Sequence, residues 1–155
     1  MYRLVTLVLM FVAPLASTAL ELMWWPSTGS GAAAVVGRWF VFWAVGWRLL
    51  LAGVRQIVQP RFTAREIFSI ESDDVLPLVT ELGVANLAAG VVGILAFWRP
   101  DFVMPVALYG AIFYAVAGLR HMREHDRSIN ETWAMVSDLF VAAVLGATVA
   151  VRLAA

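Results

Sequence analysis

An arginine, two carboxyl groups and a phenol stand at one depth in four separate apolar stretches of this sequence. Arg48, Glu81, Tyr114 and Asp138 each lie about six residues inside the same end of their stretch, roughly 9 Å in at a rise of about 1.5 Å per residue. Asn86 lies somewhat deeper, in the stretch that holds Glu81. A lone charge at mid-membrane costs about 2.5–3.5 kcal/mol on insertion scales, so such groups face one another or a wet interior rather than lipid. Arg48 can hold one carboxylate through the two prongs of its guanidinium. The second carboxyl is then in surplus and must be protonated, hold a cation, or hydrogen-bond to Tyr114 or Asn86. Two readings stay open: a ligand, ion or proton site, or a polar clamp that locks the helices together. Snorkelling of Arg48 to the head groups would weaken both.

Small residues accompany each polar group at helical spacing. Glu81 is followed at four-residue steps by Ala85, Ala89 and Gly93, and Asp138 by Ala142, Gly146 and Ala150. Arg48 is flanked in the same way by Ala44 and Ala52, and Tyr114 by Gly110 and Gly118. Such stripes line faces where helix backbones approach closely, which predicts that all four groups point into a bundle.

Other residues carry weaker signals. The segment from His121 to His125 has the H-x-x-E-H spacing of inverted zinc proteases, with Glu124 between the histidines. It falls at a charged helix end with no evident third ligand, where a solvated juxtamembrane turn reads the same way. His121 by itself is placed to reach the mouth of the polar layer and relay protons. Trp39, Trp43 and Trp47 form a stripe that a pigment, a quinone or a partner helix could stack on, and that ordinary lipid and helix contacts also explain. Neither histidine lies within an apolar stretch, which argues against haem, and no phosphate loop, nucleophile elbow or dinucleotide fingerprint is present. No cofactor is expected. An enzyme is the least supported class, because no nucleophile or metal constellation sits in an apolar stretch.

The elements that must position these groups are membrane spans. Of 155 residues, 62% are hydrophobic and 14% charged, against about 45–50% and about 25% in soluble domains. A span needs about 20 residues, and the pattern predicts five helices at about 4–23, 33–54, 75–98, 102–120 and 132–153. The fold class is therefore all-α, a single five-span bundle over residues 1–155. Arg99-Pro100-Asp101 is a tight turn that makes the third and fourth spans antiparallel neighbours. The loop over 55–74 contains Thr63-Ala64-Arg65-Glu66, with capping-box spacing ahead of Ile67, Phe68 and Ile70. Either a short interfacial helix or an ordinary connector fits it. Ser128-Ile129-Asn130-Glu131 has the same spacing and predicts the start of the fifth span. Residues 1–19 imitate a secretory signal, yet the apolar run continues to Trp24-Trp25, so retention as a first span is expected.

Charge distribution bounds the partners and the orientation. Net charge is zero and the arginines are scattered at span ends, which leaves no electrostatic footprint for nucleic acid. Absence of cysteine excludes disulfides and thiolate metal sites. With the N-terminus inside, Arg3, Arg55, Arg61, Arg65, Arg120, Arg123 and Arg127 fall on the inner side, and Arg38, Arg99 and Arg152 on the outer. That asymmetry predicts a cytoplasmic N-terminus and an external C-terminus. The expected partners are the lipid bilayer and either another membrane protein or a second copy of the chain.

The run from Glu81 through Asn86 and Gly93 to Phe97, with His121, Asn130 and Asp138 beyond it, resembles a family of small uncharacterised bacterial integral membrane proteins over about residues 60–150. The resemblance implies a multi-span bundle in a bacterial inner membrane and supplies no activity or cofactor. DoxX-type four-span proteins, associated with quinone and redox partners, are a second likeness that five spans fit less well. Two functions follow: a carrier or sensor that binds a small solute or proton at the polar layer, or a non-catalytic subunit packing against other membrane chains.

Overall fold

A computed structural model describes residues 2–24, 31–123 and 128–154. Among the described residues the chain is helical with no strand, and five helices are each long and apolar enough to cross a membrane. They are α1 (Arg3–Trp24), α2 (Ala32–Val58), α3 (Asp73–Leu95), α4 (Pro100–Arg123) and α5 (Ile129–Ala154). A short helix over residues 60–67 connects α2 to α3.

Glycine sets the closest packing. Gly46 and Gly53 of α2 face Gly83, Gly90 and Gly93 of α3, with backbone against backbone. A Cβ on Gly53 would lie 2.5 Å from Leu87 N, and one on Gly93 would lie 2.8 Å from Gly46 Cα. Spacings of seven residues (46 to 53, 83 to 90) return a helix to nearly the same face, so the two helices stay in contact along their length. On the other side α4 packs along α5, where a Cβ on Gly118 would lie 2.7 Å from Leu139 Cγ. Helix α1 bridges the two pairs. Phe11 stacks on Phe140 at 4.7 Å between ring centroids, and Trp43 Nε1 donates to Ser17 Oγ at 3.0 Å. Met10, Phe40, Val41, Val45, Val141 and Leu145 fill the centre, none more than 2% exposed.

Helix α2 is not uniform. Val41–Trp47 is wound as a π-helix. The Arg48 N–H, which in a regular α-helix would bond the Ala44 carbonyl, donates instead to the carbonyls of Trp43 and Val45. The Tyr114 hydroxyl of α4 donates to the Ala44 carbonyl. The wide turn therefore presents a backbone acceptor to the neighbouring helix just before Arg48.

The helix starts follow local chemistry, with one correction. Ser128 and Glu131 form the expected capping box: Ser128 N donates to Glu131 Oε2 at 2.6 Å, and Glu131 N to Ser128 Oγ at 3.2 Å. The expected box at Thr63 does not form. The short helix begins earlier, at Pro60 after Gln59, and Thr63 lies buried inside it. Proline suits the first helical turn because it has no N–H to leave unpaired.

Candidate functional site: a cavity at one end of the bundle

The two helix pairs stay together at mid-bundle and leave a space at the end that holds the N-terminus. Helices α2 and α4 meet chiefly through Val41–Trp47, and beyond that segment a cavity of about 940 Å³ opens between them. Five of the six main residues singled out from the sequence line it: Arg48 from α2, Asn86 from α3, Tyr114 and His121 from α4, and Asp138 from α5. His121 follows Tyr114 by seven residues, two turns on the same face of α4. Asn86, Tyr114, His121 and Asp138 are all buried, and the Asp138 carboxyl lies within electrostatic reach of Arg48 and His121.

Glu81 corrects the expected layer. It is exposed on the outside of α3 and is no part of the cavity wall. The face of α3 that is buried runs through Val79, Gly83, Asn86, Gly90 and Gly93. A four-residue step turns a helix by about 400°, so each step drifts by about 40°, and twelve residues separate Glu81 from the Gly93 direction by about 120°. Among the described residues, the expectation of two carboxyls around one arginine therefore gives way to a single one in the cavity wall, Asp138. The same drift takes Ala150 to the surface of α5 although Asp138 is buried.

Residues that sequence reasoning missed complete the walls. Gln56 of α2 accepts a hydrogen bond from Asn86 Nδ2 at 2.8 Å, buried between α2 and α3. Arg55, Arg120 and Thr6 also line the cavity. Two polar atoms in the wall, Asn86 Oδ1 and Thr6 Oγ1, are buried without a hydrogen-bond partner, a condition that costs about 1–3 kcal/mol each. The short helix closes the cavity below with Phe62, Thr63, Ile67 and Phe68, and turns Arg61, Arg65 and Glu66 outward. The Arg55 guanidinium sits 3.5 Å from the Phe62 ring centroid, and that of Arg120 sits 5.4 Å from Phe68. Arg61 Nη2 to Asp73 Oδ2 at 2.8 Å and Arg65 Nε to Glu71 Oε2 at 3.4 Å tie the connector to the approach to α3.

At the opposite end, Glu21 of α1 forms an ion pair with Arg38 of α2 and accepts from Trp39 Nε1 at 2.7 Å. A smaller cavity of about 240 Å³ there is lined by Arg38, Arg152 and Thr148 among others. The tryptophan stripe is thus tied to α1 through Trp39 and Trp43, and Trp39 also packs against Phe97, in the turn after α3, at 5.2 Å. Of the H-x-x-E-H segment, Glu124 and His125 lie outside the described residues.

A family model described as "Family of unknown function (DUF6790)" matches residues 2–155. The chain belongs to this family. The match takes in α1 and α2 as well as the 60–150 region whose resemblance the sequence carries, so all the helices that build the cavity fall within the DUF6790 family's extent. No curated protein and no solved structure matches the chain.

Proposed function

We propose that the chain is a multi-pass protein of a bacterial plasma membrane that binds an amphipathic small molecule in the 940 Å³ cavity, as its carrier or sensor. The cavity is the observation that supports this reading. Small-molecule sites typically enclose about 300–1,000 Å³, with mostly apolar walls and a few convergent polar groups. Here Arg48, Gln56, Asn86, Tyr114, His121 and Asp138 supply the polar groups, and Leu51, Val54, Ile112 and Val116 supply an apolar side that is also exposed. A polar end and a lipid-facing side are the complement of an amphiphile. The reading of a cation or proton held by a surplus acid loses its main support once Glu81 lies outside the cavity.

The arginines favour an N-terminus and a cavity mouth on the cytoplasmic side. Helix direction brings Arg3, Arg55, Arg61, Arg65, Arg120 and Arg123 to the cavity end and leaves Arg38, Arg99 and Arg152 at the other.

Native mass spectrometry of the purified full chain, released from membranes of its expression host, tests the reading. Ala52 and Ala117 line opposite walls, so Ala52→Phe and Ala117→Phe each fill the cavity from one side. The wild type is expected to carry a bound amphiphile, and both filled variants are expected to lose it while keeping helical circular dichroism. A wild type that carries none, or filled variants that carry as much as the wild type, would overturn the proposal.

A further inference from the structure

Glu81 sits where a carboxyl group has least reason to be. It lies about 9 Å past Val75 along α3, on the outer surface of a membrane span. Among the described residues it has no ion-pair or hydrogen-bond partner. Of the described carboxyl and guanidinium groups more than a turn inside the spans, Glu81 alone is exposed. Arg38 and Arg48 are half-buried and Asp138 is buried. Helix α3 packs against α2 through Gly83 and Gly90, which point nearly opposite to Glu81 around the helix. We propose that the outer face of α3 docks a transmembrane helix of another membrane protein, which presents a lysine or arginine at the depth of Glu81. This surface is independent of the cavity.

The chemistry of the partner follows from the carboxyl. Acyl chains offer it no hydrogen-bond donor, and an ionisable group among them is costly until it is paired. A cationic side chain supplies both the donor and the opposite charge. A second copy of the chain supplies neither. Packed symmetrically on the same face, it would bring Glu81 against Glu81. Arg48, the described arginine at a comparable depth, lines the cavity instead.

The shape of the face fits a helix. Leu78, Glu81, Ala85, Ala88, Val92 and Leu95 follow one another at alternating three- and four-residue steps, and all six are exposed. That spacing averages 3.5 residues, the period of helices packed knobs-into-holes. The seam is about 26 Å long at a rise of about 1.5 Å per residue, most of the hydrocarbon thickness of about 30 Å. Ala85 and Ala88 flank the carboxyl on the inward side and leave room for a second backbone to approach closely.

Synthetic Leu-Ala transmembrane peptides with lysine, glutamine or leucine about 9 Å inside one end test the proposal. Each carries a dansyl group, and energy transfer from the chain's seven tryptophans reports association with the full-length protein in dioleoyl phosphatidylcholine vesicles. An interhelical polar contact in lipid changes association by about three- to thirtyfold. The lysine peptide is therefore expected to bind roughly tenfold more tightly than the leucine peptide. Glu81→Leu should bind the two alike, and Ala85→Phe should weaken the lysine peptide severalfold while helical circular dichroism is kept. Equal binding of the lysine and leucine peptides by the wild type would overturn the docking face, as would a lysine preference that survives Glu81→Leu. A lysine peptide unaffected by Ala85→Phe would also overturn it. Glutamine binding as tightly as lysine would overturn the cationic partner. Wild-type dimers in mild detergent that Glu81→Leu dissolves would give the face to a second copy instead.

Discussion

Replacing Gly90 by alanine probes the contact that holds the cavity's two inner walls together. A Cβ there would lie 2.3 Å from Leu50 N, 2.7 Å from Leu50 Cα and 2.8 Å from Gly46 O. All three are backbone atoms of α2, so no side-chain rotation relieves the overlap. Carbon contacts settle at about 3.5–4.0 Å, and α2 and α3 must therefore part by roughly 1 Å. Asn86 lies one turn away on the same face, and its 2.8 Å bond to Gln56 would stretch to nearly 4 Å, beyond hydrogen-bonding range. Overpacking costs about 1–3 kcal/mol, and the lost hydrogen bond about 1 kcal/mol more. The gain of roughly 0.5–1 kcal/mol from removing a helix-interior glycine offsets only part of this. Gly90→Ala should thus lose a net of roughly 1–3 kcal/mol. Gly146 of α5 is the internal control, because a Cβ there meets nothing within 4 Å. Gly146→Ala should keep the propensity gain alone and be more stable by about 0.5–1 kcal/mol. Thermal unfolding of the three proteins in one detergent, followed by circular dichroism, reads the difference as opposite shifts in Tm. A Gly90→Ala variant melting at or above the wild type, or a Gly146→Ala variant falling as far, would refute the backbone contact.

Two further expectations concern the polar groups. Asn86→Leu and Gln56→Leu should each cost about 1–3 kcal/mol by stranding the other side chain, and the double variant should cost less than their sum; additive losses in unfolding experiments would mean that the two amides do not depend on each other. Arg48→Leu should cost about 3 kcal/mol by leaving the Asp138 carboxyl buried without a nearby guanidinium, whereas Glu81→Gln should change stability by no more than about 0.5 kcal/mol; comparable losses from both would return Glu81 to the interior.

Depth was legible in the sequence where direction was not. Counting residues from the span ends brought Arg48, Tyr114 and Asp138 to a common level, and the cavity contains all three. Direction held for Tyr114 because Gly110 and Gly118 lie a single step away on either side, where helical drift is small, and both are buried against α5 or α2. It fails for Glu81 because three successive four-residue steps drift by about 120° around the helix and do not form one straight line. A count at alternating three- and four-residue steps, through Gly83, Asn86, Gly90 and Gly93, follows the face that packs. Arg55 carried a usable signal, two turns from Arg48. Gln56 carried a fainter one, a turn beyond Gly53. Phe62 and Phe68 carried none, since only the return of the connector beneath the bundle makes them a floor. The Glu21 contacts with Arg38 and Trp39 likewise depend on how α1 lies against α2, which no local pattern encodes.

The two polar ends of the bundle are separated by packed apolar side chains. Between Asp138 and the Glu21–Arg38 pair stand Met10, Phe40, Val41, Val45, Val141 and Leu145, each 0–2% exposed. Polar solutes cross such a layer only when helices separate, since an uncompensated charge there costs several kcal/mol. The glycine contacts hold α2 to α3 through backbone atoms, and α4 is held to α2 through the Tyr114 hydroxyl on the Ala44 carbonyl. Helix α1 is fastened by side chains: Arg3 to Asn130, Trp43 to Ser17, and Glu21 to Arg38 and Trp39. If the ligand is carried across, α1 is therefore the element whose displacement breaks the fewest backbone contacts. If it is only sensed, occupancy acts through the α2–α4 gap and the short helix beneath it. A cross-link between α1 and α5 separates the two, because it would stop passage and leave binding in the cavity intact.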